Sequence, residues 1–599
     1  MRFEEKISEA TRIKVMTDGT LLQEMKKDKL LLAYQVIMID EAHERSLNID
    51  FILGLLRTIQ NFRRDMKVII SSATLNTQTF STYFNNAPIV SIKTPTYPVQ
   101  IYYDPIPAPQ DIKHLAPHLR PSFTREGIYI PNNEMLVEKI CNLIGALLEN
   151  KQQGDILVFL SGEKPIKLVI EKLREIYPKQ LWVLPLYGRI SQEEQQQVFL
   201  DPPAGKLKVV VGTNLMETSI TIDGITTVID SGLVKLNHYN HQEYNSALVE
   251  QAISQASADQ RAGRAGRTQA GVCYRLYEAK SYRKRPLYTP EEIHRTDLSE
   301  VLMHMSELGL TNFETFPFIS HPGKLAIQGA RRTLETLGAI KKDNSLTPSG
   351  KLMASFPLLP KHARIIIEAM YRYPEALYNV TQGLAFLSTN SPFLFPYGEE
   401  IESRQAQKTF YHPKGDLIAY LKLFHSYIHS SSKQAFCEKY YLEYKTMQEI
   451  VNIQYQLQEI IAEKGFVINK VDNYYQYALC MGIGLKQNIA RRVGRNLYAS
   501  PNTPLFAVHP SSFLFHQNPE YIVCGEIVKT TRMFARDILM LEPSQVENIS
   551  PCLYKALKSM RSLACKSAIS NKNKSKKKHS QAFLNRECRQ FLRQKSKGH

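Results

Sequence analysis

Along the first half of the chain, short apolar runs rich in β-branched residues alternate with polar stretches of helical length. The runs are 35–39 "QVIMI", 67–71 "KVIIS", 155–160 "DILVFL", 207–211 "LKVVV" and 226–230 "TTVID". Continuous apolar runs set between helices predict parallel strands covered on both faces. A Pro-rich stretch at 95–109, "PTYPVQIYYDPIPAP", interrupts the series. Proline fixes φ and removes a backbone donor, so this stretch predicts a linker with an extended piece between two α/β domains.

The pattern then changes. Thr289-Pro290-Glu291-Glu292 predicts a helix start, with Thr as N-cap, Pro first and Glu closing a capping box. Leu298, Val301, Leu302, Met305 and Leu308 follow at helical spacing. Residues 433–463 are amphipathic and free of Gly and Pro, which predicts a long helix. Between 495 and 545 the short β-like runs "LFAVH", "YIVCGEIVKTT" and "ILMLE" predict a small β domain.

At 599 residues the chain is too long for one core. No apolar run approaches the roughly 18–20 residues that span a bilayer. The first residues, "MRFEEKISEA", are too polar and acidic for a secretory signal. Eight scattered cysteines without a C-x-x-C pair read as free thiols, which excludes a disulfide scaffold and a zinc framework. The expected setting is intracellular: cytoplasmic, or nuclear in a eukaryote. Net charge is +18, and residues 555–599 hold fourteen Lys/Arg against one acid, Glu587. That tail, with "KNKSKKK" at Lys572–Lys578, is expected to be disordered; it is either a solubilising end, or a non-specific phosphate-backbone contact or localisation signal.

The chemistry concentrates in a few places. In "VIMIDEAHERS" an apolar run ends in Asp40 and Glu41. A carboxylate at a strand end can hold Mg²⁺ through water, and its neighbour can take a proton from an attacking water. Leu47 stands where a zinc-protease H-E-x-x-H would need its second His. Residues 260–267 read Q-R-A-G-R-A-G-R. Small residues between the arginines let guanidinium groups project from a tightly packed helix start, and Arg264 and Arg267, three apart, can reach one polyphosphate. Hydroxyl and amide side chains follow a strand in Gly212–Gly224, which suits phosphate and ribose contacts.

Taken in order, these stretches resemble the DEAH-box RNA helicases of superfamily 2. The matching motifs are Thr17–Glu24, Asp40–His43, Ser72–Thr74, Phe159–Gly162, Gly212–Gly224 and Gln260–Arg267. The resemblance implies an α/β fold with a partial first RecA-like domain (1–96) and a complete second one (97–285). A winged helix (286–352), a helical ratchet domain (353–468), an OB-fold (469–554) and the basic tail (555–599) would follow. It implies ATP, or another NTP, and Mg²⁺ as cofactors. RNA is the implied partner, as a single-stranded tract or a duplex with an overhang; a protein activator on the C-terminal modules is a further partner class, and no membrane is involved. It also implies roles for single residues. Asp40 would bind Mg²⁺ and Glu41 would be the base. Gln260 would position the lytic water, and Arg264 and Arg267 would hold the phosphates. Asp223 would touch the ribose and Phe199 would stack on the base. Thr17, Thr213 and Asn214 would touch RNA, while His43, Ser72 and Thr74 would couple hydrolysis to movement. Residues about 228–252 would form a strand-separating hairpin.

Such an enzyme also needs a phosphate-cradling G-K-[ST] loop. Here Gly-Lys occurs only at Gly205-Lys206, Gly323-Lys324 and Gly350-Lys351, each followed by Leu and each downstream of Asp40. The stretch "TRIKVMTDG" matches the family's region after the loop, so the first RecA-like domain is expected to lack its P-loop. Two readings stay open: a helicase whose 599 residues hydrolyse ATP poorly alone, and a catalytically silent RNA-binding scaffold. A DNA helicase fits the motif wording less well.

Overall fold

The computed structural model describes residues 8, 10–72, 77–92, 97–108, 122–124, 127–188, 190, 192–217, 221–241, 243–396, 398–529 and 532–560. Thr74 and the tail beyond 560 lie outside them.

Two strands, β1 (Val36–Ile39) and β2 (Lys67–Ile70), pair in parallel. The helix Leu47–Gln60 between them buries Phe51, Ile52, Leu53, Leu55 and Leu56. Among the described residues only one face of this pair is covered: Ile37 and Ile39 are buried, while Val36 and Met38 are more than half exposed. This departs from the two-sided burial expected of the run. Composition reports that a face is apolar, not that an element lies against it.

The second sheet meets the expectation. It contains β3 (Val99–Tyr103), reached by the Pro-rich stretch and therefore a strand, not only linker. A short antiparallel pair follows, β4 (Ser122–Phe123) with β5 (Tyr129–Ile130). Then come β6 (Asp155–Phe159), β7 (Leu181–Leu186), β8 (Leu207–Gly212) and β9 (Ile225–Asp230). The order, completed by β12 (Gly271–Arg275), is β3-β12-β9-β6-β8-β7, with every pairing parallel. Every residue of β6 and β9 is buried, as helix-covered parallel strands require.

Before β12 the chain makes an antiparallel hairpin, β10 (Leu233–Asn240) with β11 (Asn245–Ala252). This hairpin leaves its own domain. β11 pairs with β16 (Tyr521–Lys529) in a seven-stranded sheet with β13 (Ile489–Gly494), β14 (Leu497–Ala499), β15 (Phe506–Val508) and β17 (Met533–Leu541). Thr503 Oγ1 donates to the Glu243 carbonyl at the hairpin tip, 3.0 Å away.

Helices connect these sheets. The expected helix start at Thr289 is absent: Glu292–His294 is one 3₁₀ turn, and the α-helix begins at Ser299. The two glutamates are drawn elsewhere. Glu291 accepts from Arg45, and Glu292 accepts from the Leu47 backbone N–H. The segment 433–463 is two helices, Lys433–Tyr440 and Tyr444–Glu463. Tyr441 breaks it in the left-handed region, φ 53°, where Leu442 bridges to Phe393. The last helix among the described residues, Pro551–Lys558, runs past the expected boundary at 554.

Candidate active site

Asp40 leaves β1 exposed, and its Oδ1 accepts from the Glu41 N–H at 3.0 Å. Glu41 has φ 50°, a left-handed conformation that turns the chain sharply. The Ala42 N–H donates to Ser71 and the Ser71 N–H to Ile39, so the two strand ends form one ledge. Ser72 sits half-buried beside it. His43 Nδ1 lies 3.1 Å from Glu41 Oε2. Its Nε2 lies 3.3 Å from Gln260 Nε2. An Nδ1–H that donates to Glu41 leaves Nε2 as the acceptor for the Gln260 amide, which is the neutral tautomer. This contact joins the two α/β units.

Gln260 belongs to the helix Gln255–Gly263, which starts at the N-cap Ser254. The arginines therefore sit at the end of that helix and in the 3₁₀ turn Arg264–Gly266, not at a helix start as the sequence reading expected. Ala262, Ala265 and Gly266 serve packing, whereas Gly263 has open space around it. A Cβ on Gly266 would meet the Tyr97 carbonyl at 2.6 Å, and one on Gly271 would meet the Ala265 carbonyl at 2.2 Å. Arg264 is largely buried and donates to the Glu217 carbonyl. Burial and neighbouring Arg267 pull its pKa down to about 10, against the pull of Glu217 and Glu41. It stays charged at neutral pH. Arg267 donates to Thr221, and burial lowers its pKa as well.

Sequence reasoning gave Arg261 no role, yet it is fully buried at the centre of this region. Its Nε donates to Glu217 Oε1 at 2.7 Å, its Nη1 to Asp230 Oδ1 at 2.8 Å and its Nη2 to the Leu233 carbonyl at 3.2 Å. Its guanidinium lies 4.8 Å from the centre of the Phe159 ring. Burial alone would lower its pKa, but Glu217 and Asp230 carry it above its ordinary value. Ser257 Oγ also donates to Glu217, at 2.6 Å. Nothing in the spelling of Q-R-A-G-R-A-G-R separates this arginine from the other two.

The remaining expected residues lie at the rims. Phe199 is 55% exposed. Asp223 is exposed beside Gly224, whose φ of +83° a side chain would disfavour. Asn214 is exposed and Thr213 half-buried just past β8. Thr17 caps the helix Asp18–Lys27 and accepts from the Thr20 N–H. Among the described residues no group of three or more His, Cys, Asp or Glu is gathered as for a metal. One exposed carboxylate suits Mg²⁺, which keeps waters and takes phosphate oxygens.

Comparison with known proteins fits this arrangement. Residues 135–269 match the helicase conserved C-terminal domain, 330–358 the winged-helix helicase associated domain (HA2), and 478–554 the oligonucleotide/oligosaccharide-binding (OB) fold. The chain is 45% identical over 552 residues to the ATP-dependent RNA helicase HrpA of Borreliella burgdorferi, covering 92% of this chain and 64% of that one. Against HrpA of Escherichia coli it is 34% identical, covering 93% of this chain and 42% of that one. The mouse ATP-dependent RNA helicase DHX33 is 33% identical and is covered over 78% of its length, with 92% of this chain matched. The chain thus spans about two fifths to two thirds of the length of these bacterial relatives. The crystal structure of the E. coli DExH-box NTPase HrpB shares the fold, with a TM-score of 0.70 at 23% identity over 92% of this chain and 59% of that one. A RecA-like sheet followed by winged-helix and OB modules defines the class, a superfamily 2 helicase. Within it, this chain belongs to the DEAH-box family. Among the described residues no helix is long and apolar enough to cross a membrane.

Proposed function

We propose that this chain is the RNA-gripping and charge-supplying part of an ATP-dependent RNA helicase motor. One observation carries the reading: the Asp40–His43 turn and the Gln260–Arg267 turn face each other across two α/β units, linked by His43 and Gln260. A nucleotide lying there has a base on one side and fixed positive charge on the other.

In this reading Glu41 accepts the proton of the attacking water, and Gln260 orients that water. Arg264 and Arg267 stabilise charge growing on the phosphates from a partly dry setting, where a fixed cation acts most strongly. Asp40 would hold Mg²⁺, and the ion would neutralise phosphate charge when bound. Phe199 stacks on the base and Asp223 takes the ribose. His43 and Ser72, with Thr74, relay the state of the phosphates between the two units. Thr17, Thr213 and Asn214 take RNA phosphates, and the β10–β11 hairpin parts strands. The modules follow in the order expected, with the winged helix closing after the helix Pro348–Ala354 and the β domain after the helix Pro551–Lys558. With no G-K-[ST] in its 599 residues, this polypeptide binds RNA but hydrolyses ATP slowly on its own.

The RNA assignment is tested by replacing Thr213 and Asn214 together with Ala. Losing two phosphate contacts, each worth about 1 kcal/mol, weakens binding of a fluorescent single-stranded RNA about thirtyfold. Unchanged affinity would place the RNA path elsewhere.

A further inference from the structure

Two buried charges beneath the rim of the second domain take no part in the chemistry above. Lys208 on β8 is 2% exposed, and Asp155 at the start of β6 is 7% exposed. The Lys208 ammonium lies 3.4 Å from Asp155 Oδ2. It donates to the carbonyls of Leu200 at 3.0 Å and Val198 at 3.4 Å. The ammonium thus has two hydrogen-bond acceptors and one ion-pair partner, each on a different residue. The two carbonyls bracket Phe199: the Val198 side chain is fully buried, whereas the Phe199 ring stands out of the surface.

Asp155 holds a second element. Its Oδ1 accepts the Lys208 N–H at 3.1 Å, and its own N–H donates to the Gly224 carbonyl at 2.8 Å. A Cβ on Gly224 would meet Asp155 Oδ2 at 3.0 Å, so the turn carrying Asp223 sits directly on this carboxylate. A buried ion pair is a poor source of stability, since desolvation offsets its attraction, but it fixes geometry where partners on several elements converge.

We propose that the Lys208–Asp155 pair is a positioning device for nucleoside recognition, holding the Phe199 loop and the Asp223–Gly224 turn in one relation. It sets the spacing between the ring that stacks on a base and the carboxylate that takes a ribose. The inference rests on the assignment of Phe199 and Asp223 above. Neither charge touches the ligand; both act through those residues.

The test uses the full chain with two ligands, ADP and pyrophosphate, titrated calorimetrically. Lys208→Met keeps length and removes the donors. Base stacking of the usual strength predicts about tenfold weaker ADP binding, with pyrophosphate affinity held within about twofold. Phe199→Ala weakens ADP to a similar degree, and the double variant loses less than the two single losses combined, because part of the lysine's effect runs through the ring. Trp182, the only tryptophan, pairs in register with Lys208, so its emission reports whether the strand pair is intact. Should the Met variant fail to fold, Lys208→Arg makes the same comparison, and hydrogen exchange over 198–201 should rise while β7 stays protected.

Equal losses for ADP and pyrophosphate, an additive double variant, or unchanged ADP affinity in the lysine variant would each overturn the positioning role. Unchanged ADP affinity in Phe199→Ala would instead remove the stacking assignment. No ADP binding by the unsubstituted chain would remove the nucleotide reading and this inference with it.

Discussion

Arg261 shows what residue identity does and does not reveal. The sequence marks three arginines at one spacing. The structure sends Arg261 inward to two carboxylates, leaves Arg264 within the field of Glu41, and turns Arg267 to Thr221. The difference lies in partners supplied by distant strands, Glu217 after β8 and Asp230 at the end of β9, which no local pattern reports. Carboxylates at strand ends were legible for the opposite reason: Asp40 and Glu41 stand out against the apolar run before them. Removing Arg261 strands two acids in a dry site. Arg261→Met should therefore destabilise the second domain by about 3–5 kcal/mol, read as a lower midpoint in urea. A variant within about 0.5 kcal/mol of the parent would mean water reaches these acids and the network is not structural.

Elements were legible where burial matches composition. The five apolar runs all lie in strands, while β7 and β12 went unseen because Trp182-Val183-Leu184-Pro185 and Cys273-Tyr274-Arg275 mix polar or turn-forming residues into the run. The break at Tyr441 had no signal either, since tertiary contacts impose its left-handed conformation. The same holds for the element that ties the helical module to the β domain. Asp416, at the start of the helix Asp416–Ile428, accepts from the backbone of Phe513 and Ile538 and from Ser512 of "HPSSFLF". Burial pushes its pKa up to about 6, with Asp537 adding to the rise and the three hydrogen bonds opposing it. A carboxyl whose folded pKa is raised contributes least when ionised. Its contribution to stability thus grows as pH falls from 7 through 6 toward the unfolded value near 4. Relative to Asp416→Asn, the parent should gain about 1 kcal/mol between pH 7 and pH 5. Parallel stability curves for the two proteins over that range would show that Asp416 stays ionised.

At the scale of the whole molecule, the hairpin joins modules that composition could only place in order. β11 enters the sheet of the β domain, while β10 is reached from β9 of the second α/β unit. Arg45, just past the acidic turn, binds Asp50, Glu291 and Ser320 and so ties that turn to the segment 291–320 that follows the second α/β unit. Modular order was readable because each module has its own periodicity; the contacts between modules depend on single residues and were not. Two α/β units thus face each other with charge on one side and carboxylates on the other, mounted on a shared C-terminal body. The most direct test of that account is RNA-stimulated phosphate release by the 599-residue chain, alone and joined to a DEAH-box segment that carries G-x-x-x-x-G-K-[ST]. The account predicts turnover at least about a hundredfold below an ordinary 10 s⁻¹ for the chain alone. It predicts recovery in the joined protein, and loss of that recovery by at least about two orders of magnitude on Glu41→Gln, with RNA affinity retained. Turnover near 10 s⁻¹ by the chain alone, or by the joined Glu41→Gln protein, would contradict it.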